Sequence, residues 1–368
     1  MHQDRLTRVR AAMVGAGIDV CLLSVGPDLP WLIGYEAMPL ERLTMLVVPV
    51  DGEPTLVVPK LEVPRVVHRS EVFALRGWGE SEDPVAIVSE LVGSARHAAI
   101  GNRTWSQFLV GLQTQLPAVA FSNASEVIGP LRSVKDPHEL AVLRAAGAAV
   151  DRIAAELQSG EIALIGRTEA EVSAELSRRI LAEGHHRVNF AIVAAGENAA
   201  SPHHEPGNRV IGPNEVVLCD FGGTMHGEGG AGYCSDITRC VVTGERTQEM
   251  LEVYGVLLDA QRAAVAAGSV GTTCEAVDAA ARGPITDAGY GEWFMHRTGH
   301  GIGVEEHEDP YIVVGNSHQL EVGNVYSVEP GIYLPGRFGF RLEDIVATAA
   351  TGPDPLNSAD HALVSVDA

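Results

Sequence analysis

Basic side chains are scarce in this sequence. Of 368 residues, 26 are lysine or arginine and 48 are aspartate or glutamate, which leaves a formal charge of −22. That balance excludes a nucleic-acid or acidic-membrane partner, since either would need a basic patch. The surplus acid favours solubility and offers ligands for metal. Cysteine is equally thin. The five thiols, Cys21, Cys219, Cys234, Cys240 and Cys274, are odd in number and form no C-x-x-C pair. A disulfide framework is set aside, and the expected compartment is the reduced cytoplasm. No segment approaches the roughly 18 uninterrupted apolar residues of a membrane span, and the first residues carry charges where a secretory signal would be apolar. Neither a repeat nor a low-complexity tract is present, so a soluble intracellular protein is expected.

The length suffices for two domains with a sizeable core. In residues 1–130, Leu6, Val9 and Met13 have helical spacing, and Ile18 to Val25 reads as a buried strand. Leu43 to Val50 and Thr55 to Val58 flank Asp51-Gly52, a hairpin signal. A helix opening at Asp83-Pro84, a strand at His97 to Ile100, a helix from Trp105 to Leu116 and a strand near Val119 to Phe121 complete an α/β domain. Gly129 to Lys135 reads as the linker. Residues 136–368 form the second domain and open on Asp136-Pro137-His138-Glu139, a capping residue with Pro at the first helical position and Glu at the third. Thr168 to Glu171 and Thr272 to Glu275 repeat the capping pattern. Strand-rich segments follow the helices, an α+β arrangement.

Chemistry concentrates in that second part. Phe294 to Pro310 holds His296, His300 and His307, with Gly299, Gly301 and Gly303 around the middle one. Glycines let backbone approach closely, which suits a ligand at the bottom of a crowded site. Asp220 follows an apolar run and precedes Gly222-Gly223, read as a turn; Asp236, Glu329 and Glu343 also sit in or beside apolar β-runs. Burying a carboxylate is costly without a partner. Four such acids exceed what Arg239 and Arg341 can neutralise, and a pair of divalent cations answers the excess.

Asp220-Phe-Gly-Gly, Ser235-Asp-Ile-Thr-Arg, His296-Arg-Thr-Gly-His-Gly-Ile-Gly, His307-Glu, Glu329-Pro-Gly-Ile-Tyr and Arg341-Leu-Glu-Asp together resemble the ordered signature of the pita-bread metallopeptidases. The upstream α/β domain and the Pro-His203 and His-Glu308 contexts place the resemblance nearest the prolidase and aminopeptidase P branch. It implies a pita-bread catalytic domain preceded by a smaller creatinase/prolidase-type domain, hydrolysis of Xaa-Pro bonds in di- or oligopeptides, and a homodimer. It also implies two divalent ions, Mn²⁺ foremost with Co²⁺ or Zn²⁺ as alternatives, held by Asp220, Asp236, His300, Glu329 and Glu343. Asp236 and Glu343 would bridge them, and a water between the ions would be the nucleophile. Glu329 would move the proton, His296 and His307 would contact the scissile carbonyl, and His203 or its neighbour His204 would hold the substrate. Arg341 would fix a bridging carboxylate.

Two positions depart from the family pattern. Asp220 and Asp236 are separated by a longer loop, His226 to Gly232, from which His226 could reach the substrate. Where some prolidases place an arginine for the dipeptide carboxylate, four residues after the last histidine, this chain has Tyr311, whose hydroxyl could donate a hydrogen bond to the substrate but supplies no positive charge. Arg337 is then the expected cation. An Xaa-Pro dipeptidase is the leading expectation, with aminopeptidase P the alternative and a creatinase-like C–N hydrolase more distant.

Overall fold

A computed structural model describes residues 1–366. The chain divides into two compact units, one formed by Met1–Arg132 with Gly227–Gly232 and the other by Ser133–His226 with the residues from Tyr233 onward.

In the first unit the opening helix His2–Ala16 buries Leu6, Val9 and Met13, as the spacing requires. A six-stranded sheet runs in the order Ala74–Trp78, Thr55–Pro59, Met45–Pro49, Val20–Leu23, His97–Ile100 and Ala120–Asn123. Only Met45–Pro49 is antiparallel to its neighbours. Gly52 takes a φ of 108° in the hairpin turn before Thr55–Pro59. Asp83 caps Pro84–Val92 by accepting from the Val85 N–H at 2.9 Å. The expected linker is a correction: most of it lies in the helix Ser125–Ser133, and the division falls after Arg132. Pro130 removes one backbone donor there, but Val127 and Ile128 are buried, and their packing outweighs the loss.

The second unit keeps its helices and strands in separate runs. Both local capping boxes close: Asp136 exchanges hydrogen bonds with Glu139 ahead of Pro137–Gln158, and Thr168 with Glu171 ahead of Glu169–Ala182. The third begins one residue late. Thr273, not Thr272, caps Cys274–Asp287, because the Thr272 carbonyl accepts from the Leu320 N–H. A further helix, Gln248–Ala267, has no acid at its third position and so lacks the capping-box signature.

Side-chain alternation fixes which residues meet. In the strand Val216–His226, Val217, Cys219 and Phe221 pack with Val150, Ile153 and Leu176 of the first two helices. Val216 and Leu218 point the other way, into a core shared with Val253, Leu257 and Val277 of the later helices and with Tyr326 and Val346. Asp220 falls on this second face. Across the antiparallel register its partners are Ile192 on one side and Thr238 on the other. A five-stranded sheet, Glu308–Ile312, Gly299–Gly301, Val325–Val328, Asp344–Ala349 and Gly352–Pro355, carries His300, with Glu329 just after one strand and Glu343 just before another. Among the described residues no helix is long and apolar enough to cross a membrane.

Candidate metal centre and substrate cavity

Close backbone packing brings the acids together. Gly222 and Gly223 do not turn the chain; the strand runs through them to His226. They are glycines because a Cβ on Gly222 would stand 2.1 Å from the Ser235 carbonyl oxygen, so Asp236 is delivered against Asp220 only if that side chain is absent. Gly299 has the same role beside His300, where a Cβ would meet the Ser327 carbonyl oxygen at 1.8 Å.

Asp236, His300 and Glu343, all buried, bring ligand atoms within 4.8 Å of one another. His300 Nε2 lies 3.2 Å from Glu329 Oε1 and 3.9 Å from Asp236 Oδ2. Its N–H donates to Ser327 Oγ at 3.0 Å, and that hydroxyl donates to Glu329 Oε1 at 3.1 Å. Thr238 Oγ1 donates to Glu343 Oε2 at 2.8 Å. Among the described residues, one buried oxygen on each of Asp220, Asp236 and Glu343 has no hydrogen-bond partner. Burial, and then Glu343, Asp220 and Glu329, push Asp236 well above the ordinary carboxylate range. Glu343 is pushed the same way by burial, Glu329 and Asp220. Burial also acts to raise Glu329, but the His300 contact prevails and holds it low. Unpartnered, mutually repelling oxygens around an imidazole are what a pair of hard or borderline cations would satisfy.

Arg341 departs from its expected role. Its Nη2 donates to Asp220 Oδ2 at 2.5 Å, so it fixes that residue directly and reaches Glu343 only through Thr238, to which Nε donates at 3.1 Å. Nη1 donates to Tyr333 Oη at 2.9 Å and to the Pro202 carbonyl at 3.2 Å. Tyr333 Oη then lies 2.8 Å from His296 Nε2, and His296 Nδ1 lies 2.7 Å from the Arg297 carbonyl. A guanidinium only donates and a carbonyl only accepts, so Tyr333 gives its proton to Nε2 and Nδ1–H donates to the carbonyl. Both nitrogens of His296 are thus engaged within the protein, whereas the sequence expectation has it contact the scissile carbonyl. Its buried ring is held neutral by desolvation.

His307 is open by comparison. Its ring sits 4.0 Å from that of His300 at the rim of a cavity of about 470 Å³. Burial, then the nearby His300 and Arg297, bring its pKa down to about 4, so at neutral pH it is an uncharged donor facing the cavity. His203 lines the cavity, whereas His204 turns away to Glu169 at 2.8 Å.

Two expected substrate contacts lie elsewhere. Arg337 pairs with Glu249 and stacks over Phe338, outside the cavity lining. Tyr311 is also outside it, with its ring 4.5 Å beneath the Arg297 guanidinium. Nor does His226 line it; that ring stacks on His186 at 3.4 Å. Arg297 itself lines the cavity, as do Glu306, Phe190 and Ile192, none of which the sequence reading singled out. The signal for Arg297 was its place beside His296 in the glycine-rich motif.

Residues 141–350 match the model of metallopeptidase family M24, and residues 5–134 that of the creatinase/prolidase N-terminal domain. A probable dipeptidase PepE of Mycobacterium tuberculosis is 41% identical, over 100% of this chain and 97% of that protein. An Xaa-Pro dipeptidase of Lactobacillus delbrueckii subsp. lactis is 38% identical, over 94% of this chain and 95% of its own length. Among solved structures, a prolidase from Thermococcus sibiricus superposes with a TM-score of 0.93 at 34% identity, covering 100% of this chain and 99% of that one.

Proposed function

This chain belongs to metallopeptidase family M24, with a creatinase/prolidase N-terminal domain ahead of its catalytic unit, and on that premise we propose that it hydrolyses Xaa-Pro dipeptides. The observation that carries the reading is the set of buried carboxylates with unpartnered oxygens around His300, at one wall of a cavity that Arg297 also lines.

Asp220, Asp236, His300, Glu329 and Glu343 are the residues for two divalent ions, which we propose to be Mn²⁺. Such ions supply Lewis acidity and can bring the pKa of water near ~7. Glu329 takes the nucleophile's proton and delivers it to the departing prolyl nitrogen. His307, uncharged and with no side-chain hydrogen bond among the described residues, donates a hydrogen bond to the scissile carbonyl oxygen as negative charge develops there. His296 locks Tyr333 and, through it, Arg341 and Asp220. His203 holds the proline side of the substrate. The dipeptide's terminal carboxylate meets Arg297, the cavity-lining guanidinium with no carboxylate partner among the described residues.

The buried, unpaired thiols support a reducing cytoplasmic setting. A homodimer, expected from the family resemblance, belongs to the same proposal and is checked by sedimentation. The functional test is hydrolysis of Ala-Pro, Ala-Pro-Ala and creatine by purified, Mn²⁺-loaded protein. Ala-Pro should be cleaved fastest. A higher kcat/KM on the tripeptide would make the enzyme an aminopeptidase P, and turnover of creatine alone would make it a C–N hydrolase of another kind.

A further inference from the structure

The charges around the cavity divide into those already committed and those left over. Asp220, Asp236, Glu329 and Glu343 belong to the metal cluster. Arg341 is engaged with Asp220, Thr238, Tyr333 and the Pro202 carbonyl. Among the described residues lining the cavity, what remains is one cation, Arg297, and one anion, Glu306, immediately before His307. Glu306 is partly exposed and has no hydrogen bond or ion pair among the described residues. Arg297 lies over Tyr311 and acts on His307, while the Glu306 charge is felt at the buried Cys234, which contacts Asn189 and the Val304 carbonyl.

Every Xaa-Pro dipeptide brings two charges of its own. Its carboxylate is matched by Arg297. Its ammonium cannot travel far from the reacting atom, because the amino nitrogen lies only about 2.5 Å from the carbonyl carbon through one shared Cα. It must stay beside the metal cluster, of which Glu306 is not a member. An extended side chain on the residue before proline is the part of the substrate that reaches the rim. A neutral side chain there partly desolvates Glu306 with no compensation, and an acidic one repels it. A cationic side chain is the complement.

Resting on the dipeptidase reading above, we propose that Glu306 selects dipeptides whose residue before proline is lysine or arginine. The test compares kcat/KM of the Mn²⁺-loaded enzyme on Lys-Pro, norleucyl-Pro and Glu-Pro, with Ala-Pro as the reference substrate. Norleucine matches the lysine chain in shape without its charge. Wild type should prefer Lys-Pro to norleucyl-Pro by about twofold to fivefold, as expected for one partly screened charge pair, and the preference should shrink as salt is raised. Glu306→Gln should bring that ratio near unity, and Glu306→Lys should shift the preference to Glu-Pro. Equal wild-type rates on Lys-Pro and norleucyl-Pro overturn the proposal while leaving the peptidase reading intact. So does a uniform loss on all four substrates in Glu306→Gln, which would assign the carboxylate to the shared ammonium. No hydrolysis of Ala-Pro removes the dipeptidase reading and this inference with it.

Discussion

Replacing Arg297 with methionine isolates the length of substrate that the cavity accepts. The guanidinium is held flat by Tyr311, with its centre 4.5 Å from the ring, and it pairs with no carboxylate of the protein among the described residues. A dipeptide carboxylate entering the cavity therefore gains a charge-assisted hydrogen bond without breaking an existing one. Such a bond contributes about 2 kcal/mol, equivalent to roughly 30-fold in affinity. Ala-prolinamide has the same shape and no charge at that end. The wild-type enzyme should favour Ala-Pro over the amide by about that factor, expressed mainly in KM, and Arg297→Met should erase the difference while leaving the amide nearly unaffected. Arg297→Lys keeps the charge and loses the planar stack, so it should fall between the two. Arg337→Ala serves as the control, since its guanidinium is paired with Glu249 and should leave both substrates unchanged. Steady-state kinetics on both substrates decide the matter. An Arg297→Met enzyme that still discriminates 30-fold would refute the assignment.

The contrast between those two arginines shows where sequence reasoning runs out. Capping boxes at Asp136 and Thr168 were legible because all their atoms lie within four residues, and the structure closes both. The acids in apolar strands were legible as a group because each one alone would be too costly to bury. Which cation faces the substrate is a tertiary fact. Arg337 and Arg297 are both near the motifs in sequence, and only the course of the loops separates them. His296 is similar: the tyrosine that occupies its Nε2 lies 37 residues away. Breaker residues misled twice for one reason. Gly222-Gly223 reads as a turn and Gly129-Pro130 as a linker, yet close approach of Ser235 explains the first pair, and buried neighbours outweigh the second. The strand Ala74–Trp78 went unread because Arg76 and Gly77 interrupt its apolar pattern; it is recruited by parallel pairing with Thr55–Pro59.

Stripping divalent metal with a chelator should abolish turnover and lower the melting temperature by several degrees in scanning calorimetry, because the unpartnered oxygens of Asp220, Asp236 and Glu343 then repel one another; Mn²⁺ should restore both, and an unchanged melting temperature would argue against a bound ion. His300→Ala should lose metal by elemental analysis, whereas His307→Ala should retain it and lower kcat on the order of 10²-fold; metal loss in both would make His307 a ligand. Glu169→Gln tests how the His203 loop is held. Glu169 is fully buried at the start of its helix, and its two oxygens accept from the Ala195 N–H at 2.9 Å, Asn198 Nδ2 at 3.0 Å, His204 Nε2 at 2.8 Å and the Gly207 N–H at 3.3 Å. Burial alone would raise its pKa, but these donors prevail and hold it below the usual 4.5. A depressed folded-state pKa adds stability that is complete above the unfolded value and lost as pH falls through the folded one. Glutamine replaces one acceptor oxygen with a donor, so two of the four bonds fail, at a cost of about 2–3 kcal/mol near pH 7. Urea unfolding should show that cost at pH 7 and a smaller one at the acid end, where the native carboxylate is itself protonating. A pH-independent difference between Glu169→Gln and wild type would mean that shape, and not the buried charge, organises the loop.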